Sequence, residues 1–94
     1  MDPIPNEELL AEHHEFPGVY RIKAIGSTEH DFVERVVDAA TSELAGPSEV
    51  EYSVRQTSGG RHVSVNLNLT VQTPAQVRAI YARIRAVEGL TMLF

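Results

Sequence analysis

The chain has 94 residues, of which 43% are hydrophobic and 22% charged, and this is the size and composition of one ordinary globular domain. It contains no cysteine, which excludes disulfides, thiol catalysis and cysteine-ligated zinc. Its formal net charge of −5 and the lack of an apolar run of roughly 20 residues argue against a nucleic-acid coat and a membrane span, so we expect a cytoplasmic protein with no membrane contact.

The N-terminal segment carries the net charge. Residues 1–16 hold five acidic residues and no Lys or Arg, which accounts for the whole −5. Asn6 has the position of a helix N-cap, but a helix of two turns is marginal in water. Unless Leu9 and Leu10 dock on the domain, this composition does not offset the ordering cost of about 1–2 kcal/mol per residue. The sequence therefore predicts a flexible acidic leader at residues 1–15, dispensable for folding, and a single domain at 16–94.

The first strand and helix follow the leader. Alternating apolar and polar residues predict a strand over residues 19–25, which ends at Gly26. Residues 28–31 have the spacing of a capping box, with Asp31 where Glu is usual. A helix is predicted over residues 29–43. Its apolar stripe consists of Phe32, Val33, Val36, Val37, Ala40 and Leu44.

Two further strands come next. Alternation predicts one over Val50–Gln56, a turn at residues 57–60, and another strand over residues 63–71, which has the clearest period of two in the chain. Thr73, Pro74 and Gln76 then have the spacing of a helix start. That helix is followed by a short last strand, with Leu90, Met92 and Phe94 expected inward.

This order of elements predicts an α+β fold. Each strand has one apolar face and each helix one apolar stripe, so the economical packing is a ferredoxin-like βαββαβ sandwich. In it, two helices cover one face of a four-stranded antiparallel sheet whose first and third strands are central. The expected core is Tyr20, Ile22, Phe32, Val36, Val37, Tyr52, Val54, Val65, Leu67, Ile80, Ile84 and Met92.

The uncovered face of the sheet is predicted to be polar. We expect either a solvated surface or a surface for an unidentified protein partner. An RNA-binding domain of this topology stacks bases on aromatic side chains of its central strands, and none projects here, so nucleic acid is not expected. The candidate interaction residues are Arg21, Lys23, Arg55, Arg61, His62 and Asn66.

No group of residues in the sequence predicts catalysis. Residues 12–15 contain two histidines and two glutamates, but neighbours on a flexible leader do not converge on a metal. Residues 58–61 resemble a phosphate loop, yet they join two strands instead of opening a helix, so a hairpin turn is expected. We therefore predict a protein that is not an enzyme and has no cofactor, metal site or catalytic residue.

A small ligand is the alternative. Gly26, Ser27 and Thr28 lie between a strand and the start of a helix, where free N–H groups and the helix dipole favour an anion. An ordinary capped loop is the other interpretation of these three residues.

Two motifs resemble a known family. Glu15-Phe16-Pro17, together with residues 20–26, is similar to the opening motif of the YbeD-like family of small bacterial proteins of unknown function. Residues 57–65 are similar to its second motif, a Ser-rich glycine turn that leads into the third strand. The resemblance covers roughly residues 7–94 and implies a ferredoxin-like fold similar to ACT regulatory domains, which bind small ligands at domain contacts. It implies no established activity.

Two functional hypotheses follow from these observations. The first is a non-catalytic regulatory or protein-interaction module, with a weak homodimer through the edge strand Val50–Gln56. Glu49, Glu51 and Arg55 could instead discourage such pairing. The second is an ACT-like sensor of an amino acid or another small anion at Gly26, Ser27 and Thr28.

Overall fold

The computed structural model describes residues 4–57 and 59–94. Within them lie three α-helices and four strands. Their bounds, in chain order, are α1 Glu7–His13, β1 Gly18–Ser27, α2 Phe32–Thr41, β2 Val50–Gln56, β3 His62–Val71, α3 Pro74–Arg85 and β4 Leu90–Leu93, with one turn of 3-10 helix at Pro47–Glu49 before β2. The predicted elements are all present, and α1 is added from the leader.

The four strands form one antiparallel sheet in the order β2-β3-β1-β4. The predicted α+β class and four-stranded antiparallel sheet are therefore confirmed, with β1 and β3 in the centre. Ile22 of β1 and Tyr52 of β2 are the register partners of Leu67 in β3. This order is compatible with a ferredoxin-like arrangement.

The core lies between one face of the sheet and the helices. Alternate residues of β1 and β3 face α2 and α3, because successive side chains of a strand point to opposite faces. Seven of the predicted core residues are buried: Ile22, Phe32, Val36, Val65, Leu67, Ile80 and Ile84. Tyr20 and Val37 are half-buried and pack against this cluster.

Three of the predicted core residues are exposed. Tyr52 and Val54 are 52% and 46% exposed, since β2 is an edge strand and the helices do not cover this stretch of it. Met92, at 51%, lies on the opposite face of the sheet. The expectation that these side chains are buried was wrong.

The error at Met92 comes from a β-bulge in β4. Gly26 pairs with Leu90 and Ile25 with Met92, so Thr91 is an extra residue without a partner in the register. Its hydroxyl donates to the Ile25 carbonyl at 3.0 Å. One extra residue shifts the alternation.

The bulge determines which side chains of β4 reach the core. Leu90 and Leu93 pack against it, while Phe94 is 57% exposed. The expectation that Phe94 points inward was therefore wrong as well.

The start of α2 also differs from the prediction. The helix begins at Phe32, three residues later than expected, and Asp31 is its N-cap without a side-chain hydrogen bond. His30 and Asp31 have positive φ angles of 62° and 54°, which break the predicted helical run. The Thr28 hydroxyl donates to the Gly60 carbonyl at 3.2 Å, so it ties the loop to the β2–β3 turn and caps no helix.

The start of α3 matches the prediction. The Thr73 hydroxyl accepts from the Gln76 N–H at 3.2 Å, and Pro74 occupies the first turn. The Gln76 side chain accepts from the Gln72 N–H at 2.7 Å. The first of these hydrogen bonds satisfies an N–H group that the first turn of a helix leaves unpaired, and the second ties Gln76 to the residue before the N-cap.

The described part of the leader packs on the domain. Asn6 caps α1 by accepting from the Leu9 N–H at 2.8 Å, as predicted. Leu10 is 2% exposed and belongs to the core, whereas Leu9 is 50% exposed. The Arg78 side chain of α3 donates to the Pro5 carbonyl at 3.0 Å. The structure thus differs from the expectation of an unattached arm, of which residues 1–3 lie outside the described residues.

Candidate functional site

Four of the six predicted interaction residues lie together on the side of the sheet that the helices leave uncovered. We call this surface the open sheet face. Arg21 and Lys23 of β1 and Asn66 of β3 project from it, since they alternate with residues of the core, and Arg55 of β2 projects from it as the register partner of Ser64. Asn66 is the register partner of both Lys23 and Ser53, which places it at the centre of the face.

Two shallow hollows cross the open sheet face and share Lys23 and Asn66. The first, of about 490 Å³, is also lined by Arg21, Asn68 and Phe94. The second, of about 370 Å³, extends towards Arg55 and Ser64 at the β2–β3 turn. The hollows therefore combine cationic side chains with amide and hydroxyl groups that can both donate and accept.

Arg61 and His62 lie apart from these hollows, at the turn end of the sheet. Both are exposed, and His62 is the register partner of Ser27. The Arg61 carbonyl accepts from the Thr28 N–H at 3.2 Å, so its backbone has a structural role in joining the two loops. The structure brings together four of the six candidates and places these two at the rim.

Apolar side chains border the open sheet face along β4. Met92 and Phe94 are both more than half exposed there, and Ile25 is the register partner of Met92. The backbone of Phe94 exchanges hydrogen bonds with that of Lys23, at 2.8 and 3.1 Å. Sequence reasoning missed this border because simple alternation places Met92 and Phe94 in the core.

The charges of the two sides of the sheet differ. In the described part of the chain, Arg21, Lys23 and Arg55 make no ion pair, and Glu51 is the single acidic residue that the strands present beside them. Ion pairs occur in the helix layer instead, between Arg83 and Glu43 at 3.3 Å and between Arg35 and Glu88 at 3.6 Å. A cationic, uncovered sheet face therefore lies opposite a helix layer in which arginines are paired with acidic residues.

The predicted anion site has a different geometry from that expected. Strand β1 continues through Gly26 to Ser27, and the N–H groups of Ser27, Thr28 and Glu29 donate to Gly89, Arg61 and the Ser27 hydroxyl at 3.0, 3.2 and 3.1 Å. These donors are already used within the protein. Gly26 is required for packing, because a Cβ there would meet the Phe32 ring and the Gly89 carbonyl.

A groove of about 460 Å³ lies beside this loop, between α2 and the edge strand β2. Its walls are largely apolar, and its rim is acidic. Ser27 and Thr28 form one end of it, but Asp31 and Glu34 at the rim disfavour an anion. The apolar lining is Phe32, Val33, Tyr52, Val54 and Val63.

A stack of three rings connects the leader with the core. The ring centroids of His14 and Tyr20 lie 4.8 Å apart, and those of Tyr20 and Tyr81 lie 6.2 Å apart, edge to face. The two tyrosine hydroxyls are 3.4 Å apart. Burial, and then the hydrogen bond to Tyr20, raises the pKa of the Tyr81 hydroxyl above its ordinary value. Tyr81 is therefore a buried, neutral structural group and no general base.

The protonation of Tyr81 predicts a dependence of stability on alkaline pH. Because its pKa is higher in the folded state, its contribution is fully present below about pH 10, the ordinary pKa of tyrosine, and is lost as the pH rises above that value. The loss should reach about 1 kcal/mol at one pH unit above. Denaturant unfolding across this range should show a shallower decline for Tyr81→Phe than for the natural protein.

Tyr52→Phe is the matched control, because Tyr52 is 52% exposed. Its unfolding should follow the natural protein at every pH. Equal alkaline declines for all three proteins would contradict the role of burial at Tyr81.

The structure bears on two further kinds of feature, a metal site and a membrane-spanning helix. In residues 4–57 and 59–94, no three His, Asp or Glu side chains are grouped so that they could hold a metal ion. His14, considered above as a ligand, contacts Tyr20 instead. No helix in the same residues has the length and apolarity needed to cross a membrane.

A known protein family and several known proteins are similar to this chain over most of its length. A family model described as "Protein of unknown function (DUF493)" matches residues 11–94. A protein of Shewanella sediminis named "UPF0250 protein" is 28% identical over 76 residues, which is 81% of this chain and 84% of that protein. Proteins of the same name from Shewanella halifaxensis and Shewanella frigidimarina are 29% and 30% identical over the same shares of the two chains. None of these names states an activity.

Proposed function

We propose that this chain, which belongs to the DUF493 family of proteins of unknown function, is a non-catalytic, cytoplasmic protein-interaction module. Family membership confirms the resemblance to the YbeD-like proteins. In our proposal the fold is ferredoxin-like, and the open sheet face binds an acidic segment of a protein partner.

One observation carries this proposal: cationic side chains are concentrated on an uncovered sheet face and lack partners within the described residues. Arg21 and Lys23 are exposed on the central strand β1, next to the amides of Asn66 and Asn68. An arginine guanidinium is suited to binding carboxylates in pairs, and the amides can bind a peptide backbone. An acidic peptide segment would satisfy both groups.

The apolar border of the open sheet face adds a second requirement for the chemistry of the partner segment. Met92 and Phe94 are half-exposed apolar side chains beside Lys23, and burial of an exposed apolar side chain contributes about 1.5–3 kcal/mol when it is complete. We therefore expect the partner segment to carry an apolar residue among its acidic ones. A nucleic acid fits less well, because stacking aromatics would have to project from the central strands, and the one ring that β1 and β3 present on this face is His62, at the turn end.

The test uses a synthetic peptide in which Glu alternates with Leu and Phe, with fluorescence anisotropy as the measurement. The natural protein should bind it, and added salt should weaken the binding because exposed charges are screened. Arg21→Glu/Lys23→Glu should weaken the binding at least roughly tenfold, since it replaces attraction by repulsion. The folding of each variant is checked by circular dichroism and thermal melting.

Arg35→Glu/Arg85→Glu is the matched control, because it makes the same change of net charge on exposed helix residues. It should bind as the natural protein does. Equal loss in both double variants would show that net charge alone determines binding. No binding by the natural protein would contradict the proposed partner chemistry, and a rise in melting temperature with free amino acids would favour the small-ligand alternative.

A further inference from the structure

We propose that two copies of the chain join along their β2 edges, antiparallel and about a twofold axis at Ser53, to form one continuous sheet. This inference goes beyond the proposed function. It depends on the sequence and exposure of β2 and not on Arg21 or Lys23.

The backbone of β2 determines which groups are available at the edge. The Thr57 N–H donates to the His62 carbonyl of β3 at 3.0 Å, so the backbone groups of Thr57 point towards β3. In an antiparallel ladder this direction alternates, and the odd-numbered residues of β2 therefore bond to β3. The even-numbered residues Tyr52, Val54 and Gln56 direct their N–H and C=O groups to the free edge. Val50 offers only its C=O there, because its N–H donates to the Pro47 carbonyl.

An axis at Ser53 pairs these free groups with each other. Tyr52 lies opposite Val54 of the second copy, and Val50 lies opposite Gln56 of the second copy. Both are pairs of even-numbered residues. Tyr52 and Val54 can exchange two backbone hydrogen bonds, and the Gln56 N–H can donate to the Val50 carbonyl. All seven residues of β2 are paired in this register.

Neighbouring registers of the two β2 strands leave more backbone groups of the edge without a hydrogen-bond partner. An axis at Tyr52 would bring Pro47–Glu49, which is a turn of 3-10 helix, into the ladder. An axis at Val54 would bring in the β2–β3 turn. Each of them leaves two residues of β2 without a strand partner.

The side chains on the open sheet face are complementary in the same register. Glu51 lies opposite Arg55 of the second copy, and Arg55 lies opposite Glu51 of the second copy. These are non-hydrogen-bonded pairs, in which facing side chains are closest. Neither residue has an ion-pair partner within the described parts of one chain. The charges that could discourage edge pairing are therefore arranged to attract a second copy.

The opposite face of β2 is complementary as well. Tyr52 and Val54 are 52% and 46% exposed on the side of the helices, where they form a wall of the groove beside α2. In the dimer each Tyr52 faces a Val54, and aromatic residues opposite β-branched ones stabilise antiparallel strands. An isologous contact of this kind closes after two copies, as expected for a twofold dimer.

A charge exchange tests the register. Sedimentation equilibrium at micromolar concentrations should show a monomer–dimer equilibrium for the natural protein. Glu51→Arg and Arg55→Glu should each weaken dimerisation at least roughly tenfold, because each places like charges opposite one another twice. The double variant Glu51→Arg/Arg55→Glu should restore dimerisation to within a few-fold of the natural protein.

Amide hydrogen exchange identifies the edge that is used. The N–H groups of Tyr52 and Val54 should become protected as the concentration rises through the dimerisation range, while that of Ser53 is protected throughout. A natural protein that stays monomeric up to millimolar concentrations would overturn the inference. So would a double variant that dimerises no better than the single ones, or protection that does not change at Tyr52 and Val54.

The dimerisation tests can fail or succeed independently of the peptide-binding test of the proposed function. Arg21→Glu/Lys23→Glu leaves Glu51 and Arg55 unchanged, so it should dimerise normally even if it fails to bind the acidic peptide. A protein that binds the peptide but does not dimerise would refute only the pairing of β2.

Discussion

Replacing Leu67 by alanine should lower the free energy of unfolding by about 2–5 kcal/mol. Leu67 is 1% exposed in the middle of the central strand β3, with Ile22 on one side and Tyr52 on the other. Removal of its side chain leaves a cavity that the two helices and the sheet cannot fill completely. Urea unfolding followed by circular dichroism measures the change directly.

Val19→Ala is the control for this substitution, because Val19 lies on the other central strand and is 67% exposed. It should change the free energy of unfolding by no more than about 0.5 kcal/mol. A loss below about 1 kcal/mol for Leu67→Ala would indicate a core that closes over the missing side chain, contrary to the close packing around Leu67.

The central strands show why alternation was a sufficient guide to much of the fold. Both β1 and β3 have hydrogen-bonded neighbours on each side and helices over one face. A side chain in them therefore points either to the buried face or to the open face of the sheet, and the alternation of apolar residues shows which. Leu67 and Asn66 could be assigned to their faces from the sequence alone.

In an edge strand, the alternation of apolar residues is a weaker guide to which side chains are buried. Tyr52 and Val54 have the alternation of a buried strand, yet no helix covers them, and the extent of a helix layer is a tertiary property. The extra residue Thr91 moves Met92 and Phe94 to the open sheet face, and no feature of the local sequence marks it. The open cationic surface could therefore be predicted, while its apolar border and the groove at β2 could not.

The starts of α2 and α3 also differ in whether local or long-range hydrogen bonds determine them. Thr73 and Gln76 cap α3 through hydrogen bonds within a few residues, which sequence spacing can indicate. Thr28 has the correct spacing for a cap but donates to Gly60, which is 32 residues away. A contact of that separation depends on the β2–β3 turn, of which Ser58 lies outside the described residues.

Removal of a buried side chain in the leader should destabilise the protein as strongly as the change at Leu67. Leu10→Ala should lower the free energy of unfolding by about 2–5 kcal/mol, because Leu10 is 2% exposed within the core cluster. Leu9→Ala is the matched control one residue away in α1, where the side chain is 50% exposed and should contribute little. Denaturant unfolding of the two variants compares the same substitution on the two sides of one helix.

A chain that begins at Glu15 extends this test. It lacks Leu10, the contact between the His14 and Tyr20 rings, and the hydrogen bond from Arg78 to Pro5. Since about 1 kcal/mol corresponds to about 4–8 °C in a domain of this size, its melting temperature should fall by at least about 8 °C. A fall of only a few degrees would favour the flexible leader that composition predicts. Composition adds up the ordering costs of the leader but cannot show which of its side chains are buried, and Leu10, together with Ile4 packed against the core, supplies contacts that oppose those costs.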